Sequence, residues 1–173
     1  MPTGPEPGPA PLANPPADAA NAPARAGPAP ALLVSACLLG VRCNHRGEAS
    51  PSEAVAALGE RYRLIPVCPE TLGGLPTPRP AAELRGGAVC TAAGEDVTAA
   101  FARGSEAAVA LAKAVGATEA VLKARSPSCG AHAVYDGTFS RALVEGRGIT
   151  AAALAEAGLT LRDEEDVARG SGR

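Results

Sequence analysis

Five cysteines, Cys37, Cys43, Cys68, Cys90 and Cys129, carry most of the chemistry this sequence could do. Three of them follow short apolar runs. Cys37 comes after Leu32-Leu33-Val34-Ser35-Ala36 and Cys68 after Leu64-Ile65-Pro66-Val67. Cys129 closes the turn Ser126-Pro127-Ser128 behind Ala120-Val121-Leu122. The thiolate is the form that attacks or ligates, and positive charge nearby stabilises it. Lys123 and Arg125 therefore predict an easily deprotonated Cys129. Three separated thiolates could bind zinc, hold an iron–sulfur cluster, or supply a nucleophile with resolving partners. Structural zinc sites usually carry paired Cys-x2-Cys ligands, and no such pair occurs here. A four-iron cluster takes one thiolate per iron, so three protein thiolates would leave one iron open to a ligand. The four residues between Cys37 and Arg42 are too few for a phosphate-cradling cysteine loop.

Other polar residues stand near these thiols. Glu70, two positions after Cys68, could move protons at a metal centre; alone it would read as a solvated loop charge. Ser126 could donate to a substrate or cap its own turn. Lys123 and Arg125 could neutralise a cluster or simply face solvent at a sheet edge. Arg79 is expected to pair with Glu83 or to face the site. Cys43 and His45 stand between loop packing and a fourth ligand position. Cys90, in an apolar context, reads as a small buried hydrophobe.

The elements that must position these residues alternate. Strands are expected at 31–36, 63–67 and 119–123, with a last short one at 159–161. Each is a continuous apolar run, as in a parallel sheet buried on both faces. Ser50 and Pro51 predict a helix start running on to Leu58. Asp96 opens the longest helix, which ends near Val115 with Gly116 as its cap, and Thr150 caps another reaching Ala157. The fold class is therefore α/β: a single domain with a mostly parallel sheet flanked by helices. Its ligand site belongs at the carboxyl ends of the strands. There Cys37, Cys68 and Cys129 converge.

Composition narrows the setting. Of the 173 residues, the first 30 are dominated by Pro, Ala and Gly and bury too little surface to offset ordering. They read as a disordered tail and a poor signal peptide. Residues 31–165 form the domain, and 166–173 are expected to be loose. No apolar run is long enough to span a membrane. A net charge of −2 and only four Tyr and Phe residues argue against a nucleic-acid polymer as partner. An odd cysteine count in a domain of this size argues against a disulfide framework and for a reducing, cytoplasmic setting.

Several motifs together are similar to a known family. They are Val34-Ser35-Ala36-Cys37-Leu38-Leu39-Gly40, Pro66-Val67-Cys68-Pro69-Glu70, Gly74-Leu75-Pro76-Thr77-Pro78-Arg79, Gly94-Glu95-Asp96-Val97-Thr98, Leu122 to Gly130, and Tyr135-Asp136-Gly137-Thr138-Phe139-Ser140. In this order, over about residues 31–163, the chain resembles the small bacterial domain family that includes the [4Fe-4S]-dependent thiouracil desulfidases. The resemblance implies a [4Fe-4S] cluster held by Cys37, Cys68 and Cys129. It also implies roles in substrate handling and proton transfer for Glu70 and Ser126. The implied activity is removal of sulfur from a small thiolated base such as 2-thiouracil, releasing sulfide and the oxo product without net redox change. One departure is visible: where relatives commonly show Arg-Tyr-Asp-Gly, this chain has Asn44-His45-Arg46-Gly47. The competing reading is a non-enzymatic iron–sulfur or zinc-binding module that senses redox state, its fourth position closed by Cys43 or His45.

Overall fold

The computed structural model describes residues 27–170. The expected tail lies outside them up to residue 26, and residues 171–173 also fall outside. Pro30 is already tied in, its carbonyl accepting from Arg63 N at 2.9 Å.

Four parallel strands form the central sheet in the order β2-β1-β5-β8: β1 (Ala31–Ser35), β2 (Arg63–Val67), β5 (Glu119–Leu122) and β8 (Thr160–Asp163). Successive side chains on a strand point to opposite faces. Leu33, Ala120 and Leu122 thus join one core cluster with Ala108 and Ala112 of helix α3 (Thr98–Val115) and Ala151 and Leu154 of α4 (Ile149–Glu156). Leu32, Val34 and Val121 join the other, with Val55 of α1 (Glu53–Ala57) and Val167 of α5 (Glu164–Gly170). All six strand residues are fully buried, which is why the runs carry no alternation. Each buried Leu or Val contributes about 1.5–3 kcal/mol. The α/β class and the parallel sheet with helices on both faces are as the sequence predicts.

Two small antiparallel hairpins complete the fold. One pairs β3 (Ala82–Arg85) with β4 (Ala88–Thr91), and the other pairs β6 (Ala133–Tyr135) with β7 (Leu143–Glu145). A four-residue helix, α2 (Pro69–Leu72), follows β2 directly. Gly104 lets α3 pack against it, since a Cβ there would lie 1.8 Å from Pro69 O. Gly104 is thus where α3 lies directly against the Cys68-Pro69-Glu70 motif.

Several boundaries differ from expectation. Helix α1 is capped by Ser52, whose Oγ accepts from Val55 N at 3.4 Å, while Ser50 N donates to Cys37 O and so belongs to the preceding loop. Asp96 precedes α3 and accepts from Thr98 N at 2.8 Å. Helix α4 begins one residue before Thr150, which is buried against Ser128 at 2.8 Å between hydroxyls. Residues 166–170 are not loose: they lie in α5, whose Val167 is 4% exposed. Asp163 and Asp166 cap that helix reciprocally, each accepting from the other's backbone amide.

Candidate metal centre

Chain order runs from β1 to β2 on one side and then to β5 on the other, so direction switches at β1. Crevices at such points hold ligands at the carboxyl strand ends. Here Cys37 sits in a short 3-10 turn after β1, Cys68 one residue past β2, and Cys129 in the turn after β5. Their thiols share a cavity of about 590 Å³ with Glu70, Ser126, Lys123 and Arg125. Cys43, His45 and Arg79 line it too, whereas Cys90 does not. Cys90 is half-buried in β4, opposite Glu83.

The thiols are close enough to feel one another's charge. Burial pushes the Cys37 thiol up to about 11, with Cys68 adding to the rise. Burial pushes Cys129 to about 12, against a hydrogen bond from Ser35 that lowers it. Cys43 rises to about 12, first from burial and then from Cys68. The easily deprotonated Cys129 expected from Lys123 and Arg125 is therefore corrected. Those cations are engaged elsewhere: Lys123 Nζ pairs with Glu164 and Arg125 with Glu165, both on α5. Thiols of this kind are deprotonated when a metal binds them, which releases their protons to solvent.

Among the described residues, the one group of three His, Cys, Asp or Glu side chains with ligand atoms all within 4.8 Å of one another is His132, Asp163 and Asp166. That group is the cap of α5. Cys37, Cys68 and Cys129 offer the soft sulfur donors that an iron–sulfur cluster takes.

Glu70 does not stand as a solvated charge. Arg79, its side chain only 4% exposed, donates from Nε to Glu70 Oε2 at 2.7 Å. The same guanidinium reaches Pro76 O and Thr77 Oγ1 at 3.2 Å and Cys43 O at 3.1 Å. Cys43 O also accepts from Cys68 Sγ at 3.7 Å. Arg79 thus ties the carboxylate, the Cys43 loop and the Cys68 strand end together. The expected partner Glu83 instead binds the backbone amides of Gly137 and Phe139. Ser126 Oγ accepts from Ser128 N at 3.1 Å and Cys129 N at 3.0 Å. Burial lowers the His45 imidazole below its ordinary value, with Arg46 beside it adding to the fall, and its carbonyl accepts from Arg79 N. Ser35 escaped notice in the sequence: its Oγ accepts from Lys123 N at 2.9 Å, joining the ends of β1 and β5.

The model of the family described as 2-thiouracil desulfurase matches residues 32–166. The chain belongs to the 2-thiouracil desulfurase family. A solved structure, a [4Fe-4S]-dependent thiouracil desulfidase named TudS, is 41% identical with a TM-score of 0.75, covering 83% of this chain and 98% of that one. An uncharacterized protein of Bacillus subtilis (strain 168), YbbK, is 39% identical over 146 residues, 79% of this chain and 97% of its own. Among the described residues, no helix of this desulfurase-family chain is long and apolar enough to cross a membrane.

Proposed function

We propose that this protein replaces the sulfur of a thiocarbonyl compound, 2-thiouracil or a related thiolated base, with oxygen from water. The balance is thiocarbonyl plus water giving carbonyl plus hydrogen sulfide, with no electron transfer. The observation that carries this reading is the convergence of three thiols, two buried and that of Cys68 half-buried, and an arginine-held carboxylate on one cavity.

Cys37, Cys68 and Cys129 would hold a [4Fe-4S] cluster. Bound there, it supplies a soft Lewis-acidic iron without a protein thiolate, suited to a thiocarbonyl sulfur. The remaining roles belong to side chains. Glu70, its Oε2 fixed by Arg79, takes a proton from the attacking water and returns it as sulfide leaves. Ser126 has both oxygen lone pairs engaged by amides, so the hydroxyl proton is what it offers the cavity. It donates to the exocyclic carbonyl oxygen of the base and orients the ring. Lys123 and Arg125, already paired with α5, hold the turn and leave the polar contacts to Ser126.

The test is anaerobic reconstitution with iron and sulfide, metal analysis, and a sulfide-release screen over thiolated bases. About four irons with sulfide released from 2-thiouracil supports the reading. A single zinc, or a loaded protein inert toward every thiolated base, overturns it. Cys43 lies beside Cys68, so the closed-site module also needs excluding: Cys43→Ser with activity retained does so.

A further inference from the structure

The motif Tyr135-Asp136-Gly137-Thr138-Phe139-Ser140 has no part in the chemistry above, yet its backbone is held in an unusual shape. Phe139 has φ 59° and Arg141 φ 66°. Left-handed backbone at a bulky residue is an outlier, and such outliers persist only where surrounding structure enforces them, often at ligand sites. The enforcing contacts are visible. Glu83, 8% exposed, accepts from Gly137 N at 3.1 Å and Phe139 N at 2.9 Å. At Gly137, with φ 85°, a Cβ would lie 2.5 Å from Leu84 O, so the loop is pressed onto β3. Asp136 Oδ1 accepts from both Thr138 N and Thr138 Oγ1.

The result is presented to the cavity. Phe139 and Tyr135 both line it with the three thiols. The chain has only two Phe and two Tyr. Phe101 fills the core and Tyr62 binds Glu119, so both remaining aromatics stand at the site. A half-buried aromatic ring fixed by its backbone is a stacking platform for a flat heterocycle.

We infer that Phe139 is the face on which the planar ring of the substrate stacks, and that Glu83 is the positioning residue that holds it there. The site then selects flat unsaturated rings over puckered or acyclic thioamides. This rests on the thiobase reading, so the test has a binding arm that needs no turnover.

Calorimetry on anaerobic, cluster-loaded protein compares uracil with 5,6-dihydrouracil, and kinetics compare 2-thiouracil with its 5,6-dihydro form. The wild type is expected to bind the flat ring about tenfold more tightly, within the lower part of the range for base–aromatic stacking. Phe139→Leu, which keeps apolar bulk without a π face, is expected to lose that preference. It raises KM for 2-thiouracil about tenfold with kcat within twofold, while Phe139→Tyr behaves as wild type. Glu83→Ala is expected to follow Phe139→Leu. Glu83→Gln retains an oxygen that accepts both amides and keeps the preference. A wild type that binds both rings alike, or Phe139→Leu that keeps the preference, overturns the stacking role. Glu83→Ala that lowers the melting temperature but keeps the preference overturns the positioning role. If flat-ring binding and its loss are seen but no thiolated base is turned over, stacking stands and the desulfidase reading falls.

Discussion

Replacing Arg79 by Met probes the link between fold and chemistry most sharply. The Arg79 and Glu70 side chains are 4% and 17% exposed, so water replaces little of what is lost. Removing one partner of a buried pair costs about 3–5 kcal/mol, because the other charge stays buried alone. Pro76 O and Cys43 O also lose their donor. Against a domain stability of about 5–15 kcal/mol, this is a large fraction. Glu70→Gln is different. Its amide oxygen still accepts from Arg79 Nε, and the guanidinium keeps Pro76 O and Cys43 O, so the cost falls below that of Arg79→Met. Activity orders the other way: Glu70→Gln removes proton transfer, about 10²–10⁴-fold in kcat, while Arg79→Met misplaces the carboxylate, about 10²-fold.

The assay is urea unfolding of both single variants and the double variant under identical loading, with kcat measured alongside. A coupling energy above about 1 kcal/mol is expected, since the second substitution finds the pair already broken. Arg79→Lys should fall between, because an ammonium cannot fork to Glu70 and Cys43 O together. If Arg79→Met costs less than about 1 kcal/mol and kcat stays within threefold, Arg79 does not hold Glu70 and the assignment fails.

Other outcomes follow from the same contacts. Gly104→Ala gains about 1 kcal/mol of helix propensity, but its Cβ would sit 1.8 Å from Pro69 O, and overpacking costs about 1–3 kcal/mol. A net loss in urea midpoint with reduced iron loading is expected, and a more stable variant would contradict the packing. Ser126→Ala strips the hydrogen bonds to Ser128 N and Cys129 N, about 1 kcal/mol each. It should lower both melting temperature and kcat, and a variant losing neither removes Ser126 from the site. Burial opposes the charge on Asp166, but the Asp163 amide, His132 and Arg169 outweigh it and lower its pKa to about 2. A depressed carboxylate pKa stabilises the fold above its unfolded value, near 3.8, and that stability is lost as pH falls toward 2. Discounted for partial exposure, the contribution is about 1 kcal/mol. Asp166→Asn should flatten acid unfolding in that window, and an unchanged acid limb would remove Asp166 from the account.

What the sequence carried plainly was whatever depended on local pattern. Runs 31–36 and 119–123 are apolar without alternation, because Leu32 and Leu33 face different helices yet both must be dry, whereas the run 63–67 forms an edge strand in which only Val67 is buried. The position of cysteines after those runs placed three thiols at one edge without any contact being known. Local pattern failed where partners are distant in the chain. Arg79 chose Glu70 over the nearer Glu83, because Glu83 is on β3 and turned toward Gly137 and Phe139. Lys123 and Arg125 looked like activators of Cys129 until α5 supplied Glu164 and Glu165, some 40 residues further on. Strand β7 has no buried residue, so no hydrophobic period marks it. Ser50 and Ser52 offer the same cap chemistry, and only the loop's bond to Cys37 O decides between them.

The most direct measurement compares sulfide release from 2-thiouracil by anaerobically loaded wild type, cluster-free protein, and loaded Cys37→Ala, Cys68→Ala, Cys129→Ala and Cys43→Ala variants, with iron counted in each. The expected result is uracil and sulfide formed one to one by loaded wild type and Cys43→Ala only, with iron lost from the other three variants. Equal sulfide release by cluster-free protein, or full iron and activity in Cys37→Ala, Cys68→Ala or Cys129→Ala, would contradict a cluster held by those three thiols as the seat of the reaction.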